Sequence, residues 1–212
     1  WPSQSTGTDI IRASHLYNIC PREFVLNYWR PTPNRNFDYK SRIKMSIGTS
    51  LHHQLKNHIL GPMGILYGEW VNHEEYRTGF HPDPEKAVYD LVNQNPLDWE
   101  YIEPKVWSEK YRIAGHLDGF VDVDRIQFIW ENAARFKKDP VDMCKRLHTM
   151  PKSDLVILEI KSMGKYGYDL LKSAADIAEY YKTQASIYQN LSGIKTTAFW
   201  VFERDTIDSK LF

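Results

Sequence analysis

The chain has 212 residues, 42% of them hydrophobic and 25% charged, with 27 Lys/Arg against 27 Asp/Glu. That length suits one domain with a substantial core, and nothing in it approaches the roughly 18 consecutive apolar residues of a membrane span. Two cysteines, Cys20 and Cys144, exclude a disulfide scaffold and point to a reducing, intracellular and cytoplasmic setting. The chain opens on Trp1, so organellar targeting by a segment before it stays open.

Charge is unevenly spread: residues 1–60 hold eight Lys/Arg against three Asp/Glu, and residues 61–130 hold six against thirteen. Tyr17, Tyr28, Trp29, Phe37 and Tyr39 are interleaved in the basic part. Such a segment suits a polyanion whose bases it stacks on, and equally a solvated helical face over core aromatics. Ser14 is placed to cap a short helix, and Pro21 to open a second one carrying Phe24, Val25, Tyr28 and Trp29. Residues 31–39 read as a loop.

Ile43, Ile47, Leu51, Leu55 and Ile59 then recur at steps of four, which predicts an amphipathic helix from about Ser41 to Leu60, closed by Gly61-Pro62. Gly48 and His52 share a face of it. The glycine leaves room for a neighbouring backbone, and His52 is a candidate ligand, whereas His53 and His58 read as surface or packing residues.

Residues 61–100 are rich in Gly, Pro and acidic side chains, which predicts a peripheral excursion with one short helix near Glu85 to Val92. Lys105 to Ile113 and Ala114 to Asp124 alternate well enough for two antiparallel strands. Between Gly115 and Gly119, Asp118 sets a carboxylate among Leu117, Phe120 and Val121, a pattern that also fits an Asp-Gly turn. Residues 126–150 predict two short helices split at Asp139-Pro140.

Ser153 to Lys161 is rich in branched aliphatics and bounded by Pro151 and Gly164, which predicts a buried central strand. Side chains two apart share a strand face, so Glu159 and Lys161 stand together while Ile160 turns away. Two readings of this pair stand: an ion pair at a sheet rim, or a metal-ligating carboxylate beside a lysine that faces a phosphate and its attacking water. A Gly/Tyr loop then leads to a helix from about Ser173 to Leu191, closed by Gly193, with Gln184 and Tyr188 one turn apart. A strand over Thr196 to Glu203 follows.

In chain order these are Gly-x-x-x-His on a helix, Gly-His-Leu-Asp-Gly on a strand pair, Glu-Ile-Lys on a strand and Gln-x-x-x-Tyr on a helix, spanning residues 48–188. The set resembles the motifs of the PD-(D/E)XK nuclease superfamily, in particular its RecB-like exonucleases, which include CRISPR-adaptation, mitochondrial genome-maintenance and phage enzymes. The resemblance implies a single domain of α/β (α+β) class over residues 1–212, with a restriction-endonuclease-like core in which helices flank a central mixed β-sheet. Residues 1–60 would be a basic helical part, and residues 126–152 a helical insertion between the Asp and Glu-x-Lys strands.

The same resemblance implies a metal-dependent deoxyribonuclease acting on linear DNA with free ends, in recombination, repair or replication. For a phage enzyme the setting would be the host cytoplasm. An endonuclease of the same fold and a DNA-binding scaffold that cuts nothing remain alternatives. Asp118, Glu159 and Lys161 would be catalytic, and His52, Asp118, Glu159 and the main-chain carbonyl of Ile160 would hold Mg²⁺ or Mn²⁺. Gln184 and Tyr188 would steady the active site and the DNA backbone. Two carboxylates suit hard Mg²⁺, and an added imidazole suits Mn²⁺. No membrane partner is expected, and oligomerisation is open.

Three features depart from the family pattern. The long insertion carries Arg135, Lys137, Lys138, Lys145 and Arg146, and either caps the site, grips a strand or is simply an added helical pair. Cys20-Pro21-Arg22 resembles the start of a cysteine set that holds an iron–sulfur cluster in some relatives, but its partners are missing, so no cluster is expected. His116 rivals His52 as the imidazole ligand, and Glu103, Glu109 and Asp122 are reserve carboxylates.

Overall fold

A computed structural model describes residues 11–18, 38–61, 63–72, 77–79 and 99–212. Strand β1 (Ile11–Arg12) enters a 3-10 turn over Ala13–Asn18, where the first short helix is expected. Cys20, the helix expected from Pro21, most of the following loop and the helix expected near Glu85 lie outside the described residues. Helix α1 (Tyr39–His53) is capped by Asp38, whose side chain accepts from the Ser41 amide at 2.7 Å. It continues as a π-helical turn over Gln54–Leu60 and stops at Gly61. Only the later part of its apolar stripe meets the core: Leu55 is buried in it and Leu51 and Ile59 pack against it, while Ile43 and Ile47 are 40% and 43% exposed.

The described parts of residues 61–100 are not all peripheral. Met63, Ile65 and Leu66 are buried in the main core. Strands β2 (Glu69–Asn72), β3 (Arg77–Gly79) and β4 (Trp99–Ile102) form an antiparallel sheet in the order β3-β2-β4. Strands of three and four residues are too short to announce themselves by alternation.

Strands β5 (Lys105–Ser108) and β6 (Ile113–His116) form the expected hairpin, but its turn falls at residues 109–112, earlier than the spacing predicts. There Arg112 takes a φ of 51°. β1 adds parallel to β6. After Leu117 and Asp118 the chain changes sheets, and β7 (Gly119–Asp122) pairs with a later strand instead. Three helices, not two, follow: α2 (Val123–Glu131), α3 (Ala133–Lys138) and α4 (Pro140–Thr149). The extra break is at Asn132, and the expected one is built from Pro140 in the first turn of α4 with Asp139 accepting from the Asp142 amide at 3.1 Å.

Strand β8 (Leu155–Met163) is the central strand. Helix α5 (Lys165–Leu170) replaces the expected loop, and helix α6 (Glu179–Ser192) ends at Gly193 with a φ of 79°. Strand β9 (Thr197–Glu203) is the expected last strand, and β10 (Ser209–Leu211) extends the sheet beyond it. The four-stranded sheet runs β10-β9-β8-β7, with β8 parallel to β9 and antiparallel to β7, so it is mixed.

Alternation along β8 and β9 divides the core. Val156, Leu158 and Ile160 join Ala198, Trp200 and Phe202 on one face, against Ile126, Ile129, Met143 and Leu147 of α2 and α4. On the other face Phe199 and Val201 meet Ala185 of α6, and Ile157 meets Leu117 and Tyr188. Each such aliphatic removed from water stabilises the fold by about 1.5–3 kcal/mol. The chain is therefore mixed α and β, its sheets flanked by helices. Among the described residues no helix is long and apolar enough to cross a membrane.

Candidate functional site

Asp118 occupies the step between β6 and β7, where the chain passes from one sheet to another. It is only 8% exposed, and both its oxygens are engaged. Oδ2 accepts from the Ile160 backbone amide at 2.8 Å, and Oδ1 lies 2.9 Å from His52 Nδ1. Burial alone would raise this carboxyl, but the His52 hydrogen bond and the charges of Lys161 and Lys56 outweigh it and hold the group at about 2.

Glu159 and Lys161 share a face of β8, as the two-residue spacing requires, and Ile160 lies on the opposite face. Lys161 Nζ is 2.5 Å from Glu159 Oε2 and 3.9 Å from Asp118 Oδ2. Burial pushes the Glu159 carboxyl up to about 7, helped by the charge of Asp118 and opposed by Lys161. Burial works against the Lys161 ammonium, yet Glu159 and Asp118 more than reverse this and raise its pKa, so the amine stays charged. Glu159 Oε1 is buried and has no hydrogen-bond partner among the described residues.

Helix α1 supplies His52, and one turn further on, in the π-helical turn, Lys56. Gly48, a turn before His52, lets α1 lie on β8: a Cβ there would sit 3.3 Å from Ser162 Oγ. Sequence reasoning missed Lys56. Its Nζ pairs with Glu103 Oε1 and lies 3.7 Å from Asp118 Oδ1. A lysine in a helix looks like a solvated charge, so the only legible signal was its spacing of four from His52.

Helix α6 closes the site from the side of Ile157. Gln184 Nε2 donates to the Tyr188 hydroxyl at 2.8 Å, so the two expected residues act as a pair. Tyr188 lies on β6 so closely that a Cβ on Gly115 would be 2.3 Å from its ring. Burial raises the Tyr188 hydroxyl to about 12, and the charges of Glu159 and Asp118 add to this. Tyr181, three residues before Gln184, was not anticipated. Its ring centroid is 5.2 Å from Lys161 Nζ, a cation–π distance.

The reserve candidates separate. Glu103 joins the site through Lys56, whereas Glu109 is exposed in the β5–β6 turn. His116 stands exposed at the end of β6, opposite Lys105 in the hairpin register. Asp122 serves the fold instead: it accepts from Tyr67 Oη at 2.7 Å and from the Ser153 amide at 3.0 Å, with Arg125 Nε at 3.4 Å. His53 and His58 pack ring against ring at 5.4 Å. Arg135, Lys137, Lys138, Lys145 and Arg146 are exposed on helices whose apolar sides cover the β8 face opposite Glu159 and Lys161. Tyr39 is 78% exposed at the start of α1, while Tyr28, Trp29 and Phe37 lie outside the described residues.

The side chains that could hold a cation are Asp118 and Glu159, with His52 beside them. Their oxygen-rich chemistry fits Mg²⁺ or Mn²⁺, and the unpartnered Glu159 Oε1 is a buried lone pair of the kind a cation satisfies. As the side chains stand, no three His, Cys, Asp or Glu among the described residues form a cation cage, and the carboxylates are held by ammonium groups. No protein-family model, curated protein or solved structure matches the chain.

Proposed function

We propose that this chain is a Mg²⁺- or Mn²⁺-dependent DNA exonuclease of the PD-(D/E)XK, RecB-like type, hydrolysing phosphodiester bonds at free DNA ends in recombination, repair or replication. One observation carries the reading: His52, Asp118, Glu159 and Lys161, scattered over more than a hundred positions, are joined in one cluster of contacts, in which the other Glu159 oxygen, Oε1, is buried with no hydrogen-bond partner among the described residues. The mixed sheet β10-β9-β8-β7, with Glu159 and Lys161 on its central strand, supports a restriction-endonuclease-like core.

In this reading Asp118, Glu159 and the Ile160 carbonyl hold the cation, with His52 orienting Asp118 and completing the donor set. The cation supplies Lewis acidity toward a phosphoryl oxygen and the attacking water. Lys161 provides a permanent positive charge, because its two carboxylate neighbours keep it protonated, and steadies the charge that develops on the phosphate. The Gln184–Tyr188 pair fixes the wall of the site and contacts the DNA backbone.

End-labelled linear single- and double-stranded DNA, incubated with the chain beside blocked-end circles in Mg²⁺ or Mn²⁺, tests this. An exonuclease degrades the linear DNA from its ends and leaves circles closed. Cut circles would make it an endonuclease, and binding with no cleavage in either metal would make it a scaffold.

A further inference from the structure

We infer that Lys56 fills the place of a second cation, so that the site takes one divalent ion rather than two. This rests on the metal-dependent reading above. Two-metal phosphodiester sites bring their ions about 3.5–4 Å apart around shared carboxylates. Here Asp118 already has a fixed ammonium near each oxygen, Lys56 at 3.7 Å from Oδ1 and Lys161 at 3.9 Å from Oδ2.

Lys56 is built into that position rather than folded onto it. It is 5% exposed, and a buried ammonium is costly unless it is well paired. The π-helical turn that carries it is pinned to β4 by the next residue, since Asn57 Oδ1 accepts from the Tyr101 amide at 2.6 Å. Tyr101 lies two residues before Glu103, so the same hydrogen bond sets Glu103 against the lysine. The carboxylate that would serve a second ion is thereby neutralised. Three carboxylates, Asp118, Glu159 and Glu103, face two ammonium groups, Lys56 and Lys161. With Glu103 and Lys56 paired to each other, the ammonium stands on the Oδ1 side of Asp118, where a second divalent ion would have to approach.

Calorimetric titration of the whole chain with MnCl₂ near neutral pH tests the inference. The wild type is expected to bind one Mn²⁺, Lys56→Ala two, and the double variant Lys56→Ala/Glu103→Gln one again. Lys56→Arg, which keeps the charge, stays at one. Two ions in the wild type overturn the inference and leave the nuclease proposal standing, whereas none in the wild type overturns both. One ion in a folded Lys56→Ala protein also overturns it. Should Lys56→Ala not fold, Glu103→Gln decides, because the Glu103 side chain is 41% exposed and tolerates the change. It releases Lys56 onto Asp118 and should weaken Mn²⁺ binding about tenfold; unchanged affinity overturns the inference.

Discussion

The backbone amide of Ile160 donates to Asp118 Oδ2 at 2.8 Å, tying the central strand to the step between two sheets. The carboxylate is therefore a fastening as well as a candidate ligand, and the two roles separate by substitution. Asp118→Asn keeps an oxygen for the amide, while Asp118→Ala leaves a buried N–H unpaired at a cost of about 1–3 kcal/mol. On the proposed nuclease reading both variants are expected to be inactive, extra Mn²⁺ included; both lose the charge that Lys56 and Lys161 pair with, and the alanine should unfold at clearly lower urea concentration than the asparagine. Equal unfolding midpoints for the two would remove the fastening.

On the proposed nuclease reading, Lys161→Ala should abolish cleavage while DNA affinity stays within a few-fold of wild type. The amine contacts Glu159 and Asp118, and its proposed work is on the reacting phosphate rather than on the length of the DNA. Filter binding and cleavage measured on the same labelled oligonucleotide check this. A fully active variant takes the lysine out of the mechanism.

Glu159 makes stability depend on pH in a stated direction. Its folded pKa, about 7, is raised above the ordinary 4.5, so its contribution is full below about 4.5 and is lost as pH rises through about 7. At 1.36 kcal/mol per unit the loss is on the order of 3 kcal/mol. Asp118 works the other way: held at about 2, it stabilises above 3.8 and loses that contribution as pH falls through 2. Of these two carboxylates only Glu159 titrates between about 4.5 and 7, and Glu159→Gln should remove its share of the slope there. Urea unfolding in EDTA across that window measures it, and a slope unchanged in the glutamine variant refutes the assignment.

Gly115→Ala should displace Tyr188, since the added Cβ would meet its ring at 2.3 Å. Overpacking of this kind costs about 1–3 kcal/mol. Tyr188→Ala removes the obstacle, so the double variant should be more stable than the sum of the two single losses allows. Strict additivity of the three unfolding free energies would show that the ring does not rest on Gly115.

The fold was legible where burial imposes a period. Val156, Leu158 and Ile160 alternate with Ile157, Glu159 and Lys161, and that alone placed the acid and the amine together. The helix bearing Gln184 and Tyr188 was marked by its one-turn spacing and by Gly193. Glu69–Asn72 and Arg77–Gly79 left no comparable trace: they are only four and three residues long, and the first is paired on its other side by Trp99–Ile102 from further along the chain. Nor could alternation reveal that the chain changes sheets at Asp118, since both sides of the step alternate alike. Lys56 was hidden for a third reason: its inward course depends on the π-helical turn and on β4, neither of which periodicity foretells.

The passage at Leu117 and Asp118 ties the candidate site to two sheets at once. Because β6 and β7 belong to different sheets, the backbone of Asp118 is anchored by one sheet on each side. A fluctuation that opens the β5–β6 hairpin alone would loosen Asp118 on one side while leaving the β8–β9 ladder protected against hydrogen exchange. On the proposed nuclease reading, cleavage should then be lost under mild denaturant before the global transition, making this site a reporter of sub-global opening rather than of unfolding as a whole.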